Sequence, residues 1–152
     1  MRLLLDVAVL LADARPDHES HRTAHRVVSH SLLHAESVIV PDAVLLAVVR
    51  LATRSRAFVS PSSSEAAIAY VQTLRRHPAF VPVVSTPSTF DRQLRLLAHA
   101  GSSANEIADT YLAALAIEHS ATLVAFDRGF SRFPGLAWID PADPAGLAML
   151  TG

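Results

Sequence analysis

Cysteine and lysine are both missing from this chain of 152 residues. Without cysteine there is no disulfide framework, no thiolate metal site and no cysteine nucleophile. The 13 basic residues are therefore all arginine. Guanidinium forks suit phosphate and carboxylate better than ammonium does, although the base composition of the coding sequence explains the bias more simply. Neither sign of charge dominates: the net charge is −1, so bulk charge does not announce a nucleic-acid partner. There is no glycine-rich phosphate loop and no Gly-x-Ser-x-Gly elbow. No apolar run approaches membrane-spanning length. Leu3–Leu11 has the look of a signal-peptide core, but Asp6 interrupts it and Arg2 is the only charge before it. The expectation is a cytoplasmic protein. Repeats, low-complexity tracts and linkers are also missing, so one domain is expected over residues 1–152.

What is present is an apolar chain, 51% hydrophobic with a mean hydropathy of +0.31, in which short apolar runs alternate with helical patterns. Arg2–Leu5 reads as a strand ending at Asp6, followed by a helix over Val7–Asp13. His18–His34 is a second helix. Ser37–Val40 is the next strand, and Pro41-Asp42 opens a helix to about Thr53. Ser62 and Glu65 have capping-box spacing for a helix to about Arg76. Phe80–Val84 is a short strand that Pro82 confines to an edge. Ser88 or Thr89 caps a helix ending near Gly101. Ser103 with Glu106, or alternatively Asn105, starts the helix that runs to His119-Ser120. Ala121–Phe126 is a buried strand closed by the Asp127-Arg128-Gly129 turn. Leu136–Ile139 forms a last short strand stopped by Pro141 and Pro144. This alternation predicts an α/β protein, a three-layer α/β/α domain around a parallel sheet of four or five strands.

Chain lengths then place three aspartates together. From Asp109, set in the first turn of its helix, to His119 the chain rises about 15 Å. The strand back to Asp127 covers about 20 Å. Both aspartates arrive at the carboxyl end of the strand, where open α/β sheets hold their ligand crevice. Asp6 ends another strand in the same way. Converging carboxylates bind hard cations. Each aspartate also has a plainer role open to it: Asp6 as an N-cap, Asp109 as a complement to the helix dipole, and Asp127 as a turn former. His18, His21 and His25 share a helical face, but nothing at a diagnostic spacing completes a metal site, so a solvated or partner-facing stripe is the better reading. Arg50, Arg54 and Arg56 stand at a helix exit, where they either cap carbonyls or contact phosphates.

Three segments carry a family resemblance: Leu-Leu-Leu-Asp6-Val-Ala-Val-Leu-Leu, Asp109-Thr-Tyr-Leu-Ala-Ala-Leu-Ala-Ile-Glu-His, and Ala-Phe-Asp127-Arg-Gly-Phe-Ser-Arg-Phe-Pro-Gly-Leu. They resemble PIN domains, in particular the VapC toxins of bacterial toxin–antitoxin pairs in their mycobacterial-type branch. Pro41-Asp42 followed by Arg50-Leu-Ala-Thr53 fits the same branch. The likeness spans essentially the whole chain and is most specific in its C-terminal third. It implies an Mg²⁺- or Mn²⁺-dependent endoribonuclease that acts on structured RNA such as transfer or ribosomal RNA. It also implies a homodimer neutralised by a small VapB-type antitoxin. Asp6, Asp109 and Asp127 match the first, third and fourth catalytic and metal-binding acids; with RNA as substrate, the phosphate-contacting reading of Arg50, Arg54 and Arg56 makes them the expected RNA contacts. Three positions depart from the pattern. Ala47 stands where the family often has a glutamate, Ala8 where Asn or Ser is common, and Gly129 where some members have another acid. Asp42, one helical turn from Ala47, is the candidate to supply the missing metal-site charge. The thinned acid set leaves an alternative, a PIN fold that binds RNA or antitoxin with weak or no nuclease activity. A response-regulator-like phosphoacceptor domain also gathers aspartates at strand ends, but it requires a lysine that this chain lacks.

Overall fold

The computed structural model describes residues 1–56, 58–100 and 104–152. Gly101 and Ser103, and with them the expected helix end and capping box, lie outside the described residues. Five strands are described: β1 (Arg2–Leu5), β2 (Ser37–Ile39), β3 (Phe80–Val81), β4 (Thr122–Val124) and β5 (Trp138–Ile139). Every pairing is parallel, in the order β3-β2-β1-β4-β5. The flanking helices are α1 (Val7–Ala14), α2 (His21–His34), α3 (Asp42–Ala52), α4 (Ser64–Arg76), α5 (Pro87–Ala100), α6 (Ala104–Glu118) and α7 (Pro144–Thr151). The α/β expectation of a three-layer domain with a parallel sheet is met.

β1 and β4 are central because their side chains are apolar on both faces. Leu3, Leu4, Leu5, Leu123, Val124 and Ala125 are all buried, as expected for strands covered on both sides. β3 sits at the edge and ends before Pro82, which has no N–H to extend a ladder. The chain after β5 differs from expectation. Pro144 does not merely stop a strand but occupies the first turn of α7, where a missing N–H is harmless.

Local capping also differs. Ser63, not Ser62, caps α4, its hydroxyl accepting from the Ala66 amide at 3.1 Å. Ser62 is taken instead by the buried Arg15, which donates to its hydroxyl at 2.8 Å and to the Ser60 carbonyl at 2.6 Å. Arg15 also grips Asp17 and lies over the Phe58 ring, tying the loop before α4 to the end of α1. For α5 the pair is Thr86 and Thr89, whose hydroxyls and amides bond reciprocally; Ser88 takes no part in it, and Thr89 enters as the third helical residue. Both hydroxyls also donate to Glu118 of α6, which locks the packed α5–α6 pair. Asn105 lies inside α6 rather than at its cap.

The reversal between α6 and β4 governs the site. Ser120 adopts φ 50°, and the Ala121 amide reaches back to the Ala116 carbonyl at 2.8 Å. This is a Schellman-type ending that usually carries glycine, since a side chain in the left-handed region costs about 1 kcal/mol or more. Glycine also gains entropy on unfolding, which offsets part of the benefit. Ser120→Gly is accordingly expected to stabilise the fold by about 0.5–1 kcal/mol in urea denaturation. A loss of stability in that measurement would mean the serine side chain holds the turn by other means.

Candidate active site

β1 and β4 are neighbours, with Leu5 paired to Val124, so their carboxyl ends lie side by side. The Asp6 amide continues the ladder to the Val124 carbonyl at 3.1 Å, which fixes Asp6 at the strand end. Asp6 occupies the N-cap position of α1 yet makes no side-chain capping hydrogen bond. Its carboxylate instead lines a cleft of about 240 Å³ together with Asp109 and Asp127. The neighbouring walls are Val7, Ala43, Val44 and Ala47 from the start of α1 and α3, Tyr111 and Leu112 from α6, and Phe130.

Asp127 performs its turn role as well. Its Oδ1 accepts the Gly129 amide at 2.7 Å and caps a short 3-10 turn over Arg128–Arg132. Asp109 lies in the second turn of α6, not the first, because the helix begins at Ala104. Glu106 takes the first-turn position. Asp109 is paired with Arg132, whose Nη2 donates to Oδ2 at 3.0 Å, and the same nitrogen lies 3.6 Å from Glu106. Complementing the helix dipole is therefore not its only interaction.

Charge in the cleft is poorly compensated. Burial drives the Asp6 pKa up to about 6. The amides of Val7 and Ala8 oppose this, while the charges of Asp109 and Asp127 add to it. Asp109 is also raised, first by burial and then by Asp127 and Glu106, against the lowering effect of Arg132. A group of oxygen donors with uncompensated negative charge fits a hard divalent cation, which takes carboxylates readily. Among the described residues, though, no three carboxylate or imidazole side chains are gathered tightly enough to enclose one ion. Arg132 and the Gly129 amide hold two of the three acids instead.

The other candidate residues lie around this cleft or away from it. Asp42 lines a separate pocket with Leu45, Leu46, Val49, Val71 and Arg75. Its charge nevertheless reaches Tyr111 in the cleft wall, adding to the burial that raises the phenol's pKa. Ala47 does line the cleft. Arg50, Arg54 and Arg56 are exposed at the opposite end of α3. The capping role open to them belongs to Thr53, whose hydroxyl donates to the Val49 carbonyl at 2.8 Å. The histidine stripe is structural: His21 bonds the Ala12 carbonyl, and His25 bonds Asp13, which also receives the Tyr70 hydroxyl at 2.6 Å. Sequence reasoning missed Arg132 and the second role of Glu106. The only available signal was the placement of Glu106 and Asp109 three residues apart on one helical face.

A five-stranded parallel sheet with aspartates converging at the carboxyl ends of its central strands defines a class, and the family comparison agrees. The PIN domain family matches residues 3–136, and the chain belongs to that family. Curated relatives include Ribonuclease VapC37 of Mycobacterium tuberculosis, 38% identical over 91% of this chain and 96% of the relative. Ribonuclease VapC25 of the same organism is 35% identical over 91% and 97%. Among solved structures, M. tuberculosis VapC20, described as a sarcin-ricin loop cleaving toxin, superposes with a TM-score of 0.67. It is 18% identical, and the alignment covers 89% of this chain and 98% of that one. VapBC2 of Rickettsia felis, bound to a promoter DNA fragment, gives 0.66 at 16% identity over 91% and 97%. At those identities the solved structures show a shared fold.

The Asp6 shift has a definite sign. Between pH 3.8 and about 6 the folded chain holds a proton that the unfolded chain has released. Stability is thus full below the unfolded value and falls as pH rises through the folded one, by about 3 kcal/mol at most at roughly 1.4 kcal/mol per unit. Denaturation from pH 4 to 7 in chelator should show this decline, and Asp6→Asn should flatten most of it. Parallel curves for the two proteins would assign the burden elsewhere.

Proposed function

We propose that this PIN domain is a divalent-metal-dependent endoribonuclease and the toxin of a type II toxin–antitoxin pair. Three carboxylates from separate segments line one cleft, with Asp6 held at about pKa 6 by burial and by its two acidic neighbours; that observation carries the reading. Family membership makes the chain a ribonuclease of the VapC kind, and PIN-domain ribonucleases are generally dependent on divalent metal.

Asp6, Asp109 and Asp127 are the proposed catalytic and metal-holding residues, with Asp42 adding charge from the start of α3. Mg²⁺ or Mn²⁺ held by these carboxylates would supply Lewis acidity to activate water near neutral pH and a counter-charge for the negative charge that develops on the phosphate. Asp6, fixed by the β1–β4 ladder, gives the site its rigid reference point. Asp127 is oriented by the Gly129 amide, and Asp109 by α6. Tyr111, Leu112 and Phe130 restrict water on the apolar side of the cleft. Structured RNA, such as transfer or ribosomal RNA, is the proposed substrate, with Arg50, Arg54 and Arg56 contacting phosphates. The arginines stand at the far end of α3 from the acids, so their contacts fall on RNA flanking the scissile bond.

The proposed partners are a VapB-type antitoxin and a second copy of the chain. Support comes from the groove between α3 and α4, lined by Leu45, Leu46, Val49 and Val71, with Leu46 and Ile68 left exposed. An amphipathic antitoxin segment fits such a groove. Toxin–antitoxin complexes are among the structures that share the fold, including VapBC-1 of nontypeable Haemophilus influenzae, with a TM-score of 0.62 at 19% identity over 94% of this chain and all of that one. A second reading, RNA or antitoxin binding with little cleavage, is favoured by one feature. Ala47 puts a methyl group in the cleft wall where the resemblance expects an acid.

Two substitutions separate these readings. Asp109→Asn should reduce RNA cleavage by about 100-fold or more, equivalent to roughly 2.7 kcal/mol of transition-state stabilisation. It should also remove any metal-induced rise in melting temperature. Ala47→Glu should tighten metal by about tenfold, or ~1.4 kcal/mol, and raise turnover. Retention of full cleavage and full metal response by Asp109→Asn would overturn the site assignment.

For the arginines, triple alanine replacement at Arg50, Arg54 and Arg56 should weaken RNA binding and flatten its dependence on salt, with up to about 0.7–0.9 lost from the log–log slope per phosphate contact removed. Binding unchanged at every salt concentration would remove them from the RNA surface.

A further inference from the structure

Gly129 and Arg132 depend on one another sterically. A β-carbon on Gly129 would lie 2.5 Å from Arg132 Nη1 and 2.9 Å from Asp127 Oδ1. No side chain fits there while the guanidinium keeps its present place. From that place Arg132 reaches Asp109 at 3.0 Å and Glu106 at 3.6 Å, with the guanidinium carbon over the Phe133 ring, 4.6 Å from its centroid. The guanidinium thus lies between the 3-10 turn that begins at Asp127 and the helix that carries Asp109. Among the described residues, it is the one cation paired with a cleft acid.

We propose that Arg132 is an intramolecular counter-ion that competes with the divalent cation for Asp109, and that the bare α-carbon of Gly129 is what admits it. The inference rests on the metal-site reading above. A guanidinium bonded to Asp109 Oδ2 occupies a lone pair that a cation requires, and it places positive charge where the cation must enter. Metal binding therefore includes displacement of Arg132, and the affinity of this site is set below what its three acids alone provide. Glu106 gives the displaced side chain a second carboxylate on the same helix, so Arg132 can leave Asp109 without losing all its pairing. Arg132 acts through Asp109 and is a positioning residue.

Calorimetric titration of the purified chain with MnCl₂, without RNA, tests this directly. Arg132→Met keeps a long unbranched side chain and removes the charge, and it should bind Mn²⁺ about tenfold more tightly than wild type. Gly129→Ala presses on the guanidinium and also on Asp127 Oδ1, so it is compared in two backgrounds: its effect on Mn²⁺ affinity should be more favourable by about threefold in wild type than in Arg132→Met, where there is no guanidinium to displace. Arg132→Lys, with charge but no fork, should fall between wild type and Arg132→Met. Asp6→Asn, titrated alongside, should lose the wild-type binding. If Asp6→Asn loses binding while Arg132→Met matches or falls below wild type, Arg132 is not a competitor, and the metal-site reading stands. If Asp6→Asn binds Mn²⁺ as wild type does, or neither binds, the metal-site reading fails and this inference fails with it.

Discussion

Burial of the Asp6 carboxylate beside two further acids, at the carboxyl ends of β1 and β4, is the constraint around which this molecule is arranged. Both strands are buried on both faces over Leu3–Leu5 and Leu123–Val124. In each case an aspartate follows closely. Parallel pairing of Leu5 with Val124 then brings the two ends together. The fold cannot bury those strands without also bringing Asp6 close to Asp127, and α6 adds Asp109 from the same side. The resulting burden falls on Asp6, the most buried of the three.

The surrounding structure limits that burden in two ways. Backbone amides supply part of the compensation, at Val7 and Ala8 for Asp6 and at Gly129 for Asp127. Arg132 adds to it by reaching across 23 residues of sequence to Asp109. Neither device neutralises the cluster, which leaves it suited to a cation. Rigidity comes from elsewhere: the Thr86–Thr89–Glu118 bonds lock α5 to α6, and the Asp13–Tyr70–His25 bonds tie α1, α2 and α4 together. These networks hold the cleft walls without contributing groups to the cleft.

The convergence of the aspartates was legible in the sequence because it follows from element lengths. A helix and a returning strand of known rise return the chain to one end whatever the packing details. Less was legible where neighbouring residues compete for one role. Ser62, Ser63 and Ser64 are chemically alike; Arg15, from 47 residues away, takes the Ser62 hydroxyl, and Ser63 caps the helix. Pro144 reads as a breaker in a short segment, whereas its place in the first turn makes it a starter. Arg132 left no local signal at all, since its partners lie on another element. The arginines after α3 had two roles open, and Thr53 removes one of them by capping the helix itself.

In the proposed site, Asp6, Asp109 and Asp127 would share one cation in one cleft. Anomalous diffraction from crystals grown with MnCl₂ tests it most directly. A manganese peak is expected within coordination distance of Asp6 and Asp109, near Asp127, with the Arg132 guanidinium moved off Asp109. Manganese bound elsewhere on the chain, with Arg132 still on Asp109, would contradict it.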